Sequence, residues 1–389
     1  MIRSCLTALA AVLALSPAAT AQEPAAEAQT VYRNVTLIDG TGAPPRAGMN
    51  ILVRGERIER VWKEGEIAFK LAPTTRVVDM SGKYMLPGLT DSHQHLATPP
   101  NRRFAEAQLK RDLYSGITST RDMADDLRNI ADLARAARIG EIPAPDIHYA
   151  ALMAGPSFFD DPPVGAASLG AVGGQVPWMR AIGPDTDIRQ AVAEAKGTSA
   201  TAIKIYANLP GDEVARITAE AHRQGLQVWT HGAVFPATPA QVLAARPDSV
   251  SHVCMLAYQV SDQIPTGYHR RAAVQEEKFV GGVNPQIAPL LATMRQDGVV
   301  LDATVRIYEA MKTRPSKPYC SVELAAQLTA QALKAGVTIS AGTDGFSNPV
   351  AAYPALYEEL ELLVDKSGFS PMQAIIGALT YWAAGRFMG

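Results

Sequence analysis

The chain has 389 residues, 47% of them hydrophobic, enough apolar material for one large domain or two and too much for a disordered chain. Its 36 Lys and Arg against 38 Asp and Glu leave a formal charge of −2, with no long block of one sign, which argues against a nucleic acid or other polyanionic partner.

At the N-terminus, Met-Ile-Arg precedes an apolar run from Cys5 to Leu15 and then Ser-Pro-Ala-Ala-Thr-Ala before Gln22. This is the three-part layout of a signal peptide, cleaved after Ala21. The run is shorter than the roughly 20 apolar residues that cross a bilayer, so no stable membrane span is expected, and the protein is read as periplasmic or secreted. Residues 22–30 form an Ala/Glu/Gln-rich leader. Cys5 leaves with the signal; Cys254 and Cys320 remain. Two cysteines make no disulfide framework; they could pair in an oxidising compartment, but their separation gives no geometry, so both are read as buried small residues.

From Val31 to Tyr84, short runs of Val, Ile and Leu are punctuated by Gly and Asp, the pattern of a small β-domain, sandwich-like in outline. From Met85 the character changes to apolar runs alternating with amphipathic helical stretches, which is the signature of parallel βαβ units. Eight runs are read near 86–92, 117–121, 146–150, 202–206, 227–230, 249–252, 299–303 and 338–342. Eight such units predict an α/β chain built as a (β/α)8 TIM barrel over residues 85–389, a fold that takes roughly 250 residues. Asp187 and Asp212 are the expected caps of two of its helices, and Gly197 and Gly225 the expected stops. The connections Met153–Asp185 and Met255–Pro289 are too long for turns. Both follow strands and so belong on the face that carries active sites; a substrate lid is the functional reading and a plain structural insertion the alternative.

Side chains along a strand alternate, so His93 and His95 at the end of Leu86–Ser92 share one face and form half of a metal site. Lys204, between Ile203 and Ile205, faces the barrel interior with Tyr206 if the isoleucines face the helices, and lysine is an unusual core residue. His231 ends the fifth run, His252 the sixth, and Asp344 follows the eighth. These are positions from which barrel strands deliver catalytic groups.

With those residues in place, PGLTDSHQHL resembles the first-strand signature of the amidohydrolase superfamily, and IKIYAN, VWTHGA, SHVCML and SAGTDG resemble its later strand-end motifs. The resemblance implies two divalent ions, with His93, His95 and Asp344 on the first, His231 and His252 on the second, and Lys204 carboxylated as the bridge. A buried amine loses its proton easily and can become an anionic carbamate. Two ions sharing a water lower its pKa towards neutrality, and Asp344 beside it can pass the proton to the leaving nitrogen. Imidazole-rich ligands suit Zn2+; Mn2+, Co2+ and Fe2+ fit as well.

Deaminases of this superfamily often carry Glu three residues after the fifth-strand histidine. Here Gly232-Ala233-Val234 follows His231. Lys204 points to the dinuclear amidases and dipeptidases, and the chain looks most like Xaa-Pro-dipeptidase-like and N-acyl-amino-acid-hydrolysing members, which act on small substrates ending in a carboxylate. Arg306, Tyr308, Tyr206, the Arg270–Arg271 pair and the neighbouring His269 are the candidate substrate contacts. The same site serves an ester, lactone or organophosphate hydrolase equally well, and a non-catalytic binding protein is the alternative of another class, disfavoured because every ligand type is present. Related chains continue beyond the helix near Ala374–Gly385 into strands that complete the β-domain, so the sequence is read as truncated at Gly389. A homo-oligomer is compatible with the sequence, though no residue demands one.

Overall fold

The computed structural model describes residues 28–66, 70–160, 162–269, 271–281, 283–313, 318–345 and 351–379. The expected signal peptide, Arg270 and the end of the chain lie outside them. Among the described residues no helix is long and apolar enough to cross a membrane. The chain divides into two compact units, Met1–Leu37 with Pro45–Met85, and Ile38–Pro44 with Leu86–Gly389.

The first unit is one sheet. Strand β1 (Gln29–Leu37) pairs antiparallel with β2 (Arg46–Arg54), which pairs with β3 (Arg57–Lys63), while β4 (Arg76–Asp79) and β5 (Tyr84–Met85) lie parallel to β1. Between the pairs Tyr32–Ile51 and Val35–Met49, β1 advances three residues while β2 advances two. The extra residue is a bulge at which Asn34 takes φ +59°, and it reverses the facing of the strand. Val31 therefore packs with Leu52 and Trp62, whereas Val35, an even step away, joins Leu37, Met49 and Ile51 in a separate cluster.

The second unit is the expected barrel. Its eight parallel strands are β6 (Leu89–Gln94), β7 (Ile117–Asp122), β8 (Asp146–Ala154), β11 (Ala202–Ile205), β12 (Gln227–His231), β13 (Ser249–Ser251), β14 (Val300–Asp302) and β15 (Ile339–Ser340), each paired to the next. A small hairpin, β9 (Gln175–Val176) and β10 (Met179–Ala181), attaches β10 alongside β8. The circle closes where Ser92 N donates to Ala341 O at 2.9 Å and Asp344 N to His93 O at 2.9 Å.

Eleven helices accompany these strands in the described residues: α1 (Arg102–Tyr114), α2 (Leu127–Arg138), α3 (Pro162–Ala167), α4 (Ile188–Gly197), α5 (Gly211–Arg223), α6 (Pro239–Ala244), α7 (Ile287–Asp297), α8 (Val305–Met311), α9 (Val322–Lys334), α10 (Ala355–Asp365) and α11 (Pro371–Gly377). Ile203 and Ile205 pack in the layer between strands and helices, with Ile188, Ala191, Val192 and Ala195 of α4 and Val214, Ile217 and Ala221 of α5. Ala202, on the alternate parity, lies with Ala150, Leu152 and Trp229 in a second cluster. Lys204 shares that parity and so enters the barrel interior.

Three expectations need correcting. Asp187 caps α4 as read, its side chain accepting from Gln190 N, but α5 starts two residues earlier than a cap at Asp212 would place it. Pro210, extended at ψ 162°, takes the N-cap, and Asp212 sits in the first turn, where its charge favours the helix dipole. The sixth run stops at Ser251, because His252 adopts φ +69°, which cannot continue a strand. Finally, Cys254 and Cys320 are not separate small residues: they form a disulfide, with Cα atoms 6.4 Å apart, joining the turn after β13 to the segment before α9. The pair is 66 residues apart in sequence, so only the folded barrel shows that they meet.

Closing a loop of that length removes unfolded-state entropy worth roughly 4 kcal/mol in the chain-entropy model. Thermal melts of Cys254→Ser, Cys320→Ser and the double variant should each show Tm lowered by several degrees, with the double variant no worse than either single one; unchanged melts would mean that the bridge does not form in solution.

Candidate metal centre

The site begins with carboxylates that orient imidazoles. His93 Nδ1 lies 2.6 Å from Asp302 Oδ2 at the end of β14, and His95 Nδ1 lies 2.8 Å from Asp125 Oδ1 beyond β7. With each Nδ1–H directed to a carboxylate, the lone pair is left on Nε2, the atom that binds a cation. Both Nε2 atoms face Asp344 Oδ1, at 3.3 and 3.5 Å. Donor atoms of His93, His95 and Asp344 all lie within 4.8 Å of one another. The His95 and Asp344 side chains keep 23% and 19% of their surface exposed, so the cluster opens to solvent.

The electrostatics suit a cation there. Burial works to lower the pKa of His95, but Asp125 and Asp344 outweigh it and hold the value well above 6.5. Burial likewise opposes the ionisation of Asp344, yet His93 and His252 keep its carboxyl well below the usual range.

Lys204, His231 and His252 continue the site. From His95 the four imidazoles run in a row, with ring centroids 5.5 Å from His95 to His93, 5.0 Å on to His252 and 4.9 Å on to His231. His252 Nδ1 lies 2.9 Å from Thr304 Oγ1 and 3.6 Å from Asp344 Oδ2. Burial lowers the pKa of His252 to about 3 and that of His231 well below 6.5, with neighbouring cations adding to burial at His231. Both are therefore neutral, and buried His231 Nδ1 has no hydrogen-bond partner among the described residues. Lys204 donates to Ser251 Oγ at 3.1 Å, and that hydroxyl donates to Asp302 Oδ2 at 3.0 Å. Burial, aided by Arg121, brings the Lys204 amine down to about 7 against the pull of Asp302 and Asp344. Neutral imidazoles, an orphaned ring nitrogen and an ionised carboxylate form a donor set that fits a divalent cation.

The backbone is shaped for this convergence. His252, Thr304 and Asp344 all have positive φ, turning each chain away directly after it delivers its side chain. A Cβ on Gly342 would stand 2.3 Å from Asp302 Oδ1 and 2.8 Å from His93 Cβ, so glycine there admits the Asp302–His93 contact. Asp91 ties the first and last strands. Its Oδ1 accepts from His93 N and Thr343 N at 3.1 Å each, and its Oδ2 accepts from Thr343 Oγ1 at 2.9 Å.

An aromatic wall stands beside His231. Tyr206 is 4.2 Å away between centroids, Tyr268 stacks on the imidazole at 5.3 Å, and Phe158 lies 4.8 Å from Tyr206 with His269 stacked on it at 5.8 Å. Both long connections contribute, and Asn208 holds them together: its Oδ1 accepts from Tyr268 N at 2.8 Å and its Nδ2 donates to Ser157 Oγ at 3.1 Å. Tyr206 and His269 thus belong to the wall. Tyr308 is fully buried, its hydroxyl shared with Tyr319 and Cys254 N, and Arg306 is bonded to Glu358 at 2.5 Å. Asp302 and Asp125 went unread in the sequence. Asp302 carried the signal that singled out Lys204, a charge inside an apolar run, whereas Asp125 sits in a loop with no pattern to mark it.

The amidohydrolase family's sequence profile matches residues 84–389. The chain belongs to the amidohydrolase family. Among curated relatives, the adenine deaminase of Rubrobacter xylanophilus is 31% identical over 116 residues, 28% of this chain and 19% of that protein. The N-acyl-D-aspartate deacylase of Alcaligenes xylosoxydans xylosoxydans is 40% identical over 76 residues, 20% of this chain and 14% of that one. The matches thus take in less than a fifth of either relative. A Xaa-Pro dipeptidase crystallised with methionine in its active site shares the fold at TM-score 0.68 and 19% identity, over 92% of this amidohydrolase and 88% of the dipeptidase.

A cation entering between His95 and Asp344 must displace the proton that the raised pKa of His95 retains. Zinc affinity, measured against a competing chelator, should therefore weaken as pH falls through that pKa, by roughly tenfold per unit for one proton. In Asp125→Asn the affinity should drop roughly 10- to 100-fold, and the pH at which it falls off should move lower, because the charge that raised His95 is gone.

Proposed function

We propose that this amidohydrolase cleaves a carbon–nitrogen bond in a small substrate such as a dipeptide or N-acyl amino acid, using two divalent ions, zinc foremost. The observation that carries the reading is the unbroken row of His95, His93, His252 and His231, with Asp344 against its first three members and the Lys204 amine beneath it. His93, His95 and Asp344 would hold one ion, and His231 and His252 the other. At an amine pKa of about 7, a large share of Lys204 is unprotonated at neutral pH. Its nitrogen can attack carbon dioxide and lose a proton to give a carbamate, whose two oxygens would serve both ions.

Bound there, the ions supply Lewis acidity to the substrate carbonyl and acidify water. The protein's own groups do the rest. Asp344 is ionised at the outset, so it can accept the proton of the attacking water; it holds that proton weakly and releases it to the leaving nitrogen. Asp302 and Asp125 keep His93 and His95 in the tautomer that leaves Nε2 free, and the Tyr206–Tyr268–Phe158 wall excludes water beside His231.

The deacylase and dipeptidase among the similar proteins act on carbon–nitrogen bonds by their names and support this reading. The resemblance to a deaminase is weighed against Val234, a buried apolar residue at the position three beyond His231. Export to the periplasm or beyond is proposed from the signal-like N-terminus, and the Cys254–Cys320 bridge, which suits an oxidising compartment, supports it.

Elemental analysis of protein purified with zinc should give near two ions per chain, falling sharply in Lys204→Ala. Wild type should hydrolyse members of a panel of dipeptides and N-acyl amino acids. Metal content unchanged by the substitution would remove Lys204 from the bridge, and hydrolysis of lactones or esters alone would overturn the amidase assignment.

A further inference from the structure

Arg271 stands in the second long connection, half-buried, with its guanidinium carbon 3.9 Å from the Tyr268 ring centroid and 4.5 Å from that of Tyr319. One terminal nitrogen donates to Tyr268 O at 2.6 Å, whereas Nε is buried and has no hydrogen-bond partner among the described residues. Burial disfavours its charge, and the neighbouring phenols of Tyr268, Tyr319, Tyr258 and Tyr206 are the groups that most offset that cost. Withdrawing a guanidinium from water is costly unless an anion compensates it, and ring faces compensate only in part. Other cations near the metal centre have partners: Arg306 has Glu358, Lys204 has Ser251, Arg121 has Asp302 and His95 has Asp125.

Its mounting is firm. Arg271 rests on Tyr268, whose backbone N donates to Asn208. The following residue, Ala272, accepts from Tyr258 Oη at 2.7 Å, and Val274 N donates to Tyr319 O at 2.8 Å, next to the disulfide at Cys320. A charge held this way is oriented before any ligand arrives. Tyr268 also stacks on His231, so a single ring links the imidazole to the guanidinium. In an N-acyl α-amino acid or dipeptide, the carboxylate carbon is three bonds from the acyl carbon that reacts. A substrate with its acyl group against His231 and His252 would extend its carboxylate along Tyr268 towards Arg271.

We propose that Arg271, framed by Tyr268 and Tyr319, is the anchor for the terminal carboxylate of the substrate and sets a preference for acids over their neutral counterparts. The identity of the substrate rests on the hydrolase reading above; the carboxylate subsite rests on the surroundings of Arg271 itself. A guanidinium that merely braced the two tyrosines would make no distinction between an acid and an amide.

N-Methylsulfonyl-phenylalanine and its carboxamide test this, since neither has an acyl carbon to be attacked. Titration calorimetry on the zinc-loaded full chain should show wild type binding the acid roughly 10- to 100-fold more tightly than the amide, the range expected for a charge-assisted pair. That ratio should fall to near one in Arg271→Met and recover in part in Arg271→Lys. Equal affinities in wild type, or a ratio that survives in Arg271→Met, would overturn the subsite. Should Arg271→Met melt early, Arg271→Lys and the weakening of the wild-type preference with added salt decide in its place. Failure of the hydrolase reading looks different: such a protein cleaves no amide of any kind, yet its acid-to-amide ratio still depends on Arg271. A subsite that fails alone leaves an enzyme that cleaves neutral amides as readily as acids.

Discussion

A single buried carboxylate sits where the barrel's chemistry converges. Asp302, wholly buried at the end of β14, receives His93 from the first strand and Ser251 from the sixth, and through Ser251 it reaches Lys204 on the fourth. Arg121 of the second strand stands 3.7 Å away. An unpaired charge at that depth would be costly, so burial works against its ionisation, and His93 and Arg121 reverse the balance and hold it below the usual carboxylate range. The orientation of His93 and the setting of Lys204 both trace to this one group. Glycine at position 342 is the steric condition for its presence.

Around that polar centre the rim is organised by aromatic contact and by one clamp. Asn208, at φ +58°, is bonded to both long connections, and it follows Lys204 and Tyr206 on the same strand end. A short stretch of chain therefore supplies a group below the site, a face beside it and the tie that gathers the loops over it. Apolar packing carries the barrel, while hydrogen bonds from a few strand-end residues determine which loop side chains reach the centre.

The features legible in the sequence were those governed by periodicity. Alternation along a strand put Lys204 inward between Ile203 and Ile205, and apolar runs marked the eight strands. Where φ turns positive, as at His252, periodicity ceases to apply, and the read strand overran the true one by a residue. The α5 cap was misread because Pro210 fixes an extended backbone that competes with the side-chain capping of Asp212. Partners such as Asp125 for His95, and Cys320 for Cys254, are set by the curvature of the closed barrel. No local spacing encodes them, since they are distant in sequence and lie in segments with no regular pattern. The bulge at Asn34 is of the same kind, a one-residue insertion that only the pairing with β2 exposes.

The bridge between Cys254 and Cys320 also bears on how the chain matures. Cys254 lies two residues beyond His252, and Cys320 adjoins Tyr319, so the two sulfurs meet only once the sixth strand and the segment before α9 are in their native places. Oxidation then acts as a covalent record that this side of the barrel has assembled, independent of any ion. A chain produced in a reducing cytosol would hold the same wall by packing alone, and preparations that differ only in redox history would differ in how firmly the His252 turn is fastened.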